Sequence, residues 1–196
     1  MITRQDVGLL AAAAGPPLLL AGLGLSHPGS LTAATGEHWR STHILALPVF
    51  PLLALGPWLV ARHLDRRLGW LVALLGYVYA MFYTALDVLA GIGAGALQVR
   101  SATDGIGVLF TEGNELARIG TLAYLAACLL TGLAAVGRTR LLGVPGAVLV
   151  IGAAWSFRTS HIFAPSGVET MLVAALGWTL VAAVLLRHRG QPPAHT

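Results

Sequence analysis

The sequence predicts an all-α, multi-pass membrane protein with six transmembrane helices in one bundle. Hydrophobic residues make up 56% of the 196 residues and charged residues only 10%, whereas a soluble domain carries about a quarter charged residues. Mean hydropathy is +0.77, and apolar runs recur along the whole length. This composition excludes a disordered chain, a nucleic-acid-binding basic domain and an ordinary cytosolic enzyme.

Six apolar segments are long enough to cross a bilayer, which takes about 20 residues for about 30 Å of hydrocarbon. They cover residues 7–25, 42–61, 68–90, 115–136, 141–161 and 168–186. The first segment differs from a signal peptide because Asp6 precedes it and no Ala-x-Ala cleavage site follows it. The remaining residues suffice only for loops and short tails, so we predict a single transmembrane helical domain over residues 1–196.

Charge asymmetry between the two sides predicts the orientation. All basic residues are arginines. The side that holds both termini carries eight arginines and two acidic residues, whereas the other side carries four arginines and six acidic residues. Since cytoplasmic loops carry the excess of basic residues, both termini are predicted to be cytoplasmic, in a multi-pass protein of the cell membrane.

Ionisable side chains of the predicted spans gather at one depth, near the outer ends of the helices. Charged groups in hydrocarbon are costly, so each is a functional candidate. Tyr79, Tyr83 and Asp87 are four residues apart and share one helix face. The outer layer comprises His27, His43, Asp87, Glu115, Arg118, Arg158 and His161. We expect these faces to point inward and form one pocket; the competing interpretation is purely structural ion pairing.

A metal site is the interpretation that this layer favours. Imidazole and carboxylate together suit Zn, Fe or Mn, and histidine is the commonest metal ligand. The predicted ligands of this divalent metal are His27, His43, His161, Asp87 and Glu115. Asp87 and Glu115 are also the candidate catalytic residues, because a carboxylate outside the coordination shell can act as a general base.

Two arginines extend the prediction to a substrate. Arg118 and Arg158 are predicted to hold the phosphate or carboxylate of a bound lipid through bidentate contacts. The protein would then be a small metal-dependent membrane enzyme that acts on a lipid or amphiphile from an outer-leaflet pocket. The predicted partners are the lipid bilayer and this amphiphilic ligand, without nucleic acid, and a homo-oligomer is compatible with the sequence.

Two other functions stay open from the sequence. His43 and His161 lie at similar depth on different helices and could be the axial ligands of a single b-type haem, with Arg40 and Arg158 near its propionates. Six spans could also form the three-plus-three repeat of a small-solute or ion transporter. A transporter site is expected near the midplane, however, and the inner halves of these spans are apolar.

The outer connection 91–114 and the remaining histidines complete the prediction. The connection begins with the glycine-rich stretch 91–95 and is expected to be either a flexible outer loop or a lid over the pocket.

His63, His188 and His195 lie among cytoplasmic arginines and are predicted to be surface residues. Cys128 is the single cysteine, which excludes a disulfide framework and a cysteine-based zinc site.

Overall fold

In a computed structural model the chain is described over residues 3–188, and every regular element in that range is helical. His195 lies outside the described residues. The elements are α1 (Arg4–Leu25), α2 (Gly36–Ala46), a 3-10 turn (Phe50–Ala54), α3 (Leu55–Leu64), α4 (Arg66–Leu86), a π-helical segment (Asp87–Gly93), α5 (Ala94–Val99), α6 (Ile106–Thr139), a second 3-10 turn (Arg140–Gly143), α7 (Val144–Ser160) and α8 (Ser166–His188). The predicted all-α class is confirmed.

Several of these helical runs are long and apolar enough to cross a membrane. Four pass on length and hydropathy: Arg4–Leu25, Arg66–Val99, Ile106–Ser160 and Ser166–Arg187. A fifth is formed if Gly36–Ala46 and Phe50–Leu64, which meet at a bend of 41°, are counted as one broken span. Large apolar side chains are exposed on the outside of the bundle, for example Leu19, Leu74 and Leu133. These features indicate a membrane protein.

The run Ile106–Ser160 contains a hairpin. Arg140, which directly follows the last residue of α6, has a φ of +58°, and the chain reverses there. A Cβ on Gly132 of α6 would lie 3.2 Å from the Ile151 side chain and 3.4 Å from Ala147, both on α7. Contacts between positions on either side of the turn show that α6 and α7 are antiparallel neighbours.

Most of the predicted outer connection 91–114 is helical. The structure therefore shows neither a flexible loop nor a lid over this stretch. The chain continues from α4 through the π-helical segment and α5 to Val99, and α6 already begins at Ile106. The reason is close packing against α2. A Cβ on Gly91 would overlap the His43 ring, and a Cβ on Gly95 would lie 2.8 Å from the Arg40 Cβ. The glycines therefore serve helix contact.

The buried faces of α4 and α6 bring the site residues to one end of the bundle. Tyr79, Tyr83 and Asp87 are all buried, so the predicted inward face of span 3 is confirmed. On α6, Gly120 allows that helix to approach α4, since a Cβ there would lie 3.0 Å from the Tyr83 backbone nitrogen. The chain reversals opposite the termini then place the ends of α1, α2, α4 and α7 together.

Candidate metal centre

Three histidines converge where α1, α2 and α7 end. His27 follows α1, His43 lies in the last turn of α2, and His161 caps the C-terminal end of α7. One ring nitrogen of each histidine lies within 4.8 Å of the corresponding nitrogen of the other two. His27 and His43 are buried and His161 is half-buried. The three imidazoles thus form one group, although 133 residues lie between the first and the last in the sequence.

Backbone carbonyls orient two of the rings. The Nδ1 atom of His27 lies 2.8 Å from the Pro28 carbonyl oxygen, and Nδ1 of His43 lies 2.7 Å from the Trp39 carbonyl oxygen. A carbonyl can only accept, so each Nδ1 carries the proton and each Nε2 of the neutral ring holds a lone pair. Histidines that bind metals characteristically donate their other N–H in this way.

His27 also lies outside the helical spans and is held neutral. Burial lowers the pKa of His27 below its usual value, with the hydrogen bond to Pro28 acting in the opposite direction and the charge of His38 adding to the lowering. Its Nε2 has no hydrogen-bond partner among residues 3–188. A buried neutral imidazole with a free lone pair is a ready ligand for a metal ion.

His161 is positioned by a tyrosine and by an unusual backbone conformation. The Tyr83 hydroxyl lies 2.5 Å from His161 Nδ1. The backbone of His161 has a φ of +47°, a region that residues other than glycine adopt at a cost of order 1–3 kcal/mol. The turn after α7 therefore holds this ring in the cluster against a local conformational preference.

Asp87 is the most unusual residue of the site. Its side chain is 0% exposed, and Oδ1 lies 4.0 Å from His43 Nε2. Neither carboxylate oxygen has a hydrogen-bond partner within the described part of the chain. A buried carboxylate without a partner costs several kcal/mol, so a bound cation or a proton is needed to offset that cost.

Tyr79 and Tyr83, which share the helix face of Asp87, are the nearest hydroxyl candidates to pair with its carboxylate, but both hydroxyls bond elsewhere. The Tyr79 hydroxyl donates to the Phe50 carbonyl oxygen at 3.0 Å, and the Tyr83 hydroxyl pairs with His161. The shared helix face brings both rings to the same side of α4 as Asp87. Each hydroxyl, however, projects across to a neighbouring element. The carboxylate is thereby left to face His43.

Aromatic rings that the sequence analysis did not single out surround the histidines. The Trp39 ring centroid lies 5.1 Å from that of His27 and 5.0 Å from that of His43, and the Trp39 indole donates to the Ala90 carbonyl oxygen at 3.0 Å. The Phe163 ring lies 4.6 Å from His27. The sequence contains one signal for this arrangement, because Trp39 lies one helical turn before His43 and so shares its helix face. These rings cover the imidazoles with apolar surface, and a less polar environment strengthens electrostatic interactions.

A cavity of about 510 Å³ opens beside the cluster, between α4, α6 and α7. His43 and His161 form part of its wall, and so do Glu115, Arg118 and Arg158. The structure thus places all three predicted polar residues of α6 and α7 at the cavity. Both arginines lie within reach of a ligand that occupies it.

Glu115 lies outside the group of three histidines and on the wall of the cavity beside it. Its side chain is exposed and lines the cavity, as does that of Arg118. The reason is helical phase, because α6 turns Gly113 and Gly120 toward α4 and residue 115 lies off that face. Among the described residues, the group that the geometry assembles for a metal is the three histidines, with Asp87 adjoining His43.

The donor set fits a small divalent ion. Nitrogen atoms that bind one tetrahedral zinc ion at about 2.0–2.1 Å lie roughly 3.4 Å apart, whereas the three ring nitrogens lie within 4.8 Å of one another. Small side-chain rotations close that difference. Three neutral imidazoles and one carboxylate are ligands that zinc, iron and manganese share.

A b-type haem between His43 and His161 fits poorly. A porphyrin fills the four equatorial positions around its iron, yet the His27 nitrogen lies within 4.8 Å of both axial candidates. Buried Asp87 lies 4.0 Å from His43 as well. Arg40, the predicted propionate partner, lies 3.9 Å from an acid on its own helix. The macrocycle would overlap groups that the fold holds in place.

Comparisons with protein-family models, curated proteins and solved structures found no match to this chain. The geometry of the site therefore carries the functional assignment.

Proposed function

We propose that the protein is a metal-dependent membrane enzyme that acts on a lipid or other amphiphile. The metal ligands are His27, His43 and His161, with Asp87 as a fourth ligand or as the base beside them. The observation that carries this proposal is the fully buried Asp87 carboxylate, which has no hydrogen-bond partner in the described chain and lies 4.0 Å from one of three converging imidazoles. A divalent cation supplies the charge that this arrangement lacks.

The residues around the centre have separate roles in this proposal. His27, His43 and His161 would hold the divalent ion, which would supply Lewis acidity toward a substrate oxygen or water. Asp87 accepts a proton close to the ion, in a site that Trp39 and Phe163 shield from bulk water. Glu115 lies on the open wall of the cavity and can exchange that proton with solvent. With only three histidine nitrogens as ligands, a metal bound here would keep a position for the reacting group.

The proposed topology has six crossings with both termini in the cytoplasm, which puts the centre in the outer leaflet. Two features of the fold support it. The hairpin at Arg140 divides the longest apolar run into two antiparallel helices, and the bent pair α2–α3 supplies one further span. With α1, α4 and α8 this makes six. The arginine excess on the side of the termini then sets the orientation.

Metal content decides the proposal most directly. The protein is purified in detergent without chelators, reconstituted with Zn²⁺, Fe²⁺ or Mn²⁺, and measured by elemental analysis. We expect about one equivalent for the wild type, and a loss of binding in His43→Ala and His161→Ala. His38→Ala is the matched control, since His38 is an exposed histidine on the same helix as His43. It should bind as the wild type does.

Other outcomes of the same preparation point elsewhere. A protein that binds no metal, or in which His38→Ala and His43→Ala lose metal equally, contradicts the proposal. A red preparation with a Soret band favours the haem interpretation despite the crowding around the two axial candidates. A metal-free, colourless protein that moves a solute into proteoliposomes favours transport.

A further inference from the structure

A second, lipid-facing groove lies between α6 and α7, next to the cavity of the site. It encloses about 570 Å³ and is lined only by apolar residues and a glycine. The lining residues are Leu125, Leu129, Val148, Ile151, Gly152 and Trp155. Val148 and Trp155 are 62% and 63% exposed, so the groove opens toward the bilayer.

The groove and the cavity follow each other along the same two helices. On α6, Arg118 and Thr121 line the cavity, and Leu125 lies one turn further along the same face. On α7, Arg158 lines the cavity and Trp155 lines the groove. The polar compartment lies toward the histidine end of the helices, and the apolar compartment lies deeper. Together they form one track with a polar head and an apolar tail.

The polar head of this track carries a net positive charge, because Arg118 and Arg158 line it beside a single carboxylate, Glu115. The Arg158 guanidinium stacks on the Trp155 ring at 4.4 Å from its centroid, so one tryptophan joins the two compartments. No carboxylate of residues 3–188 lies within 4.0 Å of Arg118 or Arg158 in an ion pair. Arginine offers a planar fork of donors that matches phosphate oxygens. An anionic headgroup would therefore meet two arginines that have no acidic partner.

We propose that this track binds one phospholipid, with its phosphate between Arg118 and Arg158 and an acyl chain in the groove of α6 and α7. The lipid enters sideways from the bilayer, and its headgroup lies in the cavity whose wall includes His43 and His161. As an assignment of the substrate class, this rests on the proposed function. Lipid binding itself needs no metal and can be measured separately.

Gly152 makes the groove testable. A Cβ at Gly152 would meet no atom within 4 Å, so a large side chain can project into the groove without displacing the core. Gly22 on α1 is equally open and exposed, and it lies away from the groove. Gly152→Phe and Gly22→Phe therefore make a matched pair, of which only the first fills the proposed chain site.

The experiment measures equilibrium binding of a phosphatidylglycerol with a fluorescent acyl chain to the purified protein in detergent. We expect Gly152→Phe and the double variant Arg118→Gln/Arg158→Gln to bind at least about tenfold more weakly. Gly22→Phe should bind as the wild type does. Unlabelled phosphatidylglycerol should compete, whereas glycerol 3-phosphate, which lacks the chain, and diacylglycerol, which lacks the phosphate, should compete poorly.

Three results would overturn this inference: equal effects of Gly152→Phe and Gly22→Phe, competition by glycerol 3-phosphate as strong as that by the lipid, or unchanged binding in the arginine double variant. If Gly152→Phe does not yield folded protein, Val148→Trp fills the opposite end of the groove and is expected to have the same effect. Metal content is determined on each sample. Lipid binding without metal contradicts only the proposed function, and metal binding without lipid contradicts only this inference.

Discussion

Replacement of Asp87 by asparagine tests the centre most sharply, because it removes a charge with little change of shape. The carboxylate is fully buried, and its oxygen lies 4.0 Å from His43 Nε2. An amide at this position keeps the volume and cannot balance a cation. The same change should therefore act in opposite directions on the metal-bound and the metal-free protein.

The distance of 4.0 Å from Asp87 to His43 approximates the distance from the carboxylate to an ion held by the histidines, and it sets the expected loss of affinity. Two unit charges 4 Å apart interact by about 4 kcal/mol at an effective dielectric constant of about 20, which corresponds to about a thousandfold in a dissociation constant. A double charge on the ion increases this interaction, and desolvation of the carboxylate reduces it. We expect Asp87→Asn to weaken binding of a divalent ion about 10²- to 10³-fold.

Stability should change with the opposite sign when metal is absent. The variant loses an unpartnered buried carboxylate, so its metal-free form should be as stable as the wild type or more stable. At a metal concentration of about 100 Kd the wild type gains about 2.7 kcal/mol. A variant that binds 100-fold more weakly gains only about 0.4 kcal/mol under the same conditions.

Thermal unfolding in detergent, with and without added Zn²⁺, measures both effects in one series. The wild type should show a clear rise of Tm with metal, and Asp87→Asn should show almost none from an equal or higher starting value. A variant whose Tm rises with metal as much as the wild type's would refute the role of Asp87. A variant that is much less stable without metal would show that the carboxylate has a structural partner instead.

Three further predictions concern the support of the centre and the topology. Tyr83→Phe removes the hydroxyl that orients His161 and should weaken metal binding about 10- to 100-fold, measured by titration of the metal-free protein; an unchanged affinity would contradict it. Gly91→Ala puts a methyl group into the His43 ring and should reduce the metal content, whereas Gly22→Ala should not; equal content in both would show that the ring is not held by this contact. Tags at both termini should be protected from protease in intact cells, and cleavage of either would refute the cytoplasmic placement.

Local patterns were sufficient to predict the helices and the inward face of α4. Apolar runs of sufficient length form helices in any arrangement, because each satisfies its own backbone hydrogen bonds. Tyr79, Tyr83 and Asp87 share a face because residues four apart always do in an α-helix. The polar end of the bundle was also predictable, because ionisable residues recur near the same ends of successive apolar segments.

Contacts between distant segments were beyond the sequence. The stretch 91–95 looks like a flexible loop because it is rich in glycine, yet the glycines permit α2 to pack against a continuing helix. A glycine can permit either a flexible backbone or the close approach of a second helix. Which of the two applies depends on the segment that packs against it, and here that segment, α2, lies about fifty residues away in the sequence. The position of Glu115 outside the histidine group has a similar cause, because the face that α6 turns inward depends on which of its glycines contact α4.

The sequence by itself determined that this chain is helical and suited to a membrane, with histidines, carboxylates and arginines near a common end of the helices. Only the tertiary structure decided which of those groups meet. Three imidazoles come within 4.8 Å of one another, Asp87 is enclosed beside His43, and Glu115 remains on the cavity wall. The physical reason is that helix formation depends on neighbours in the chain, whereas helix rotation and depth depend on packing across the bundle. A metal site needs both to within about an ångström.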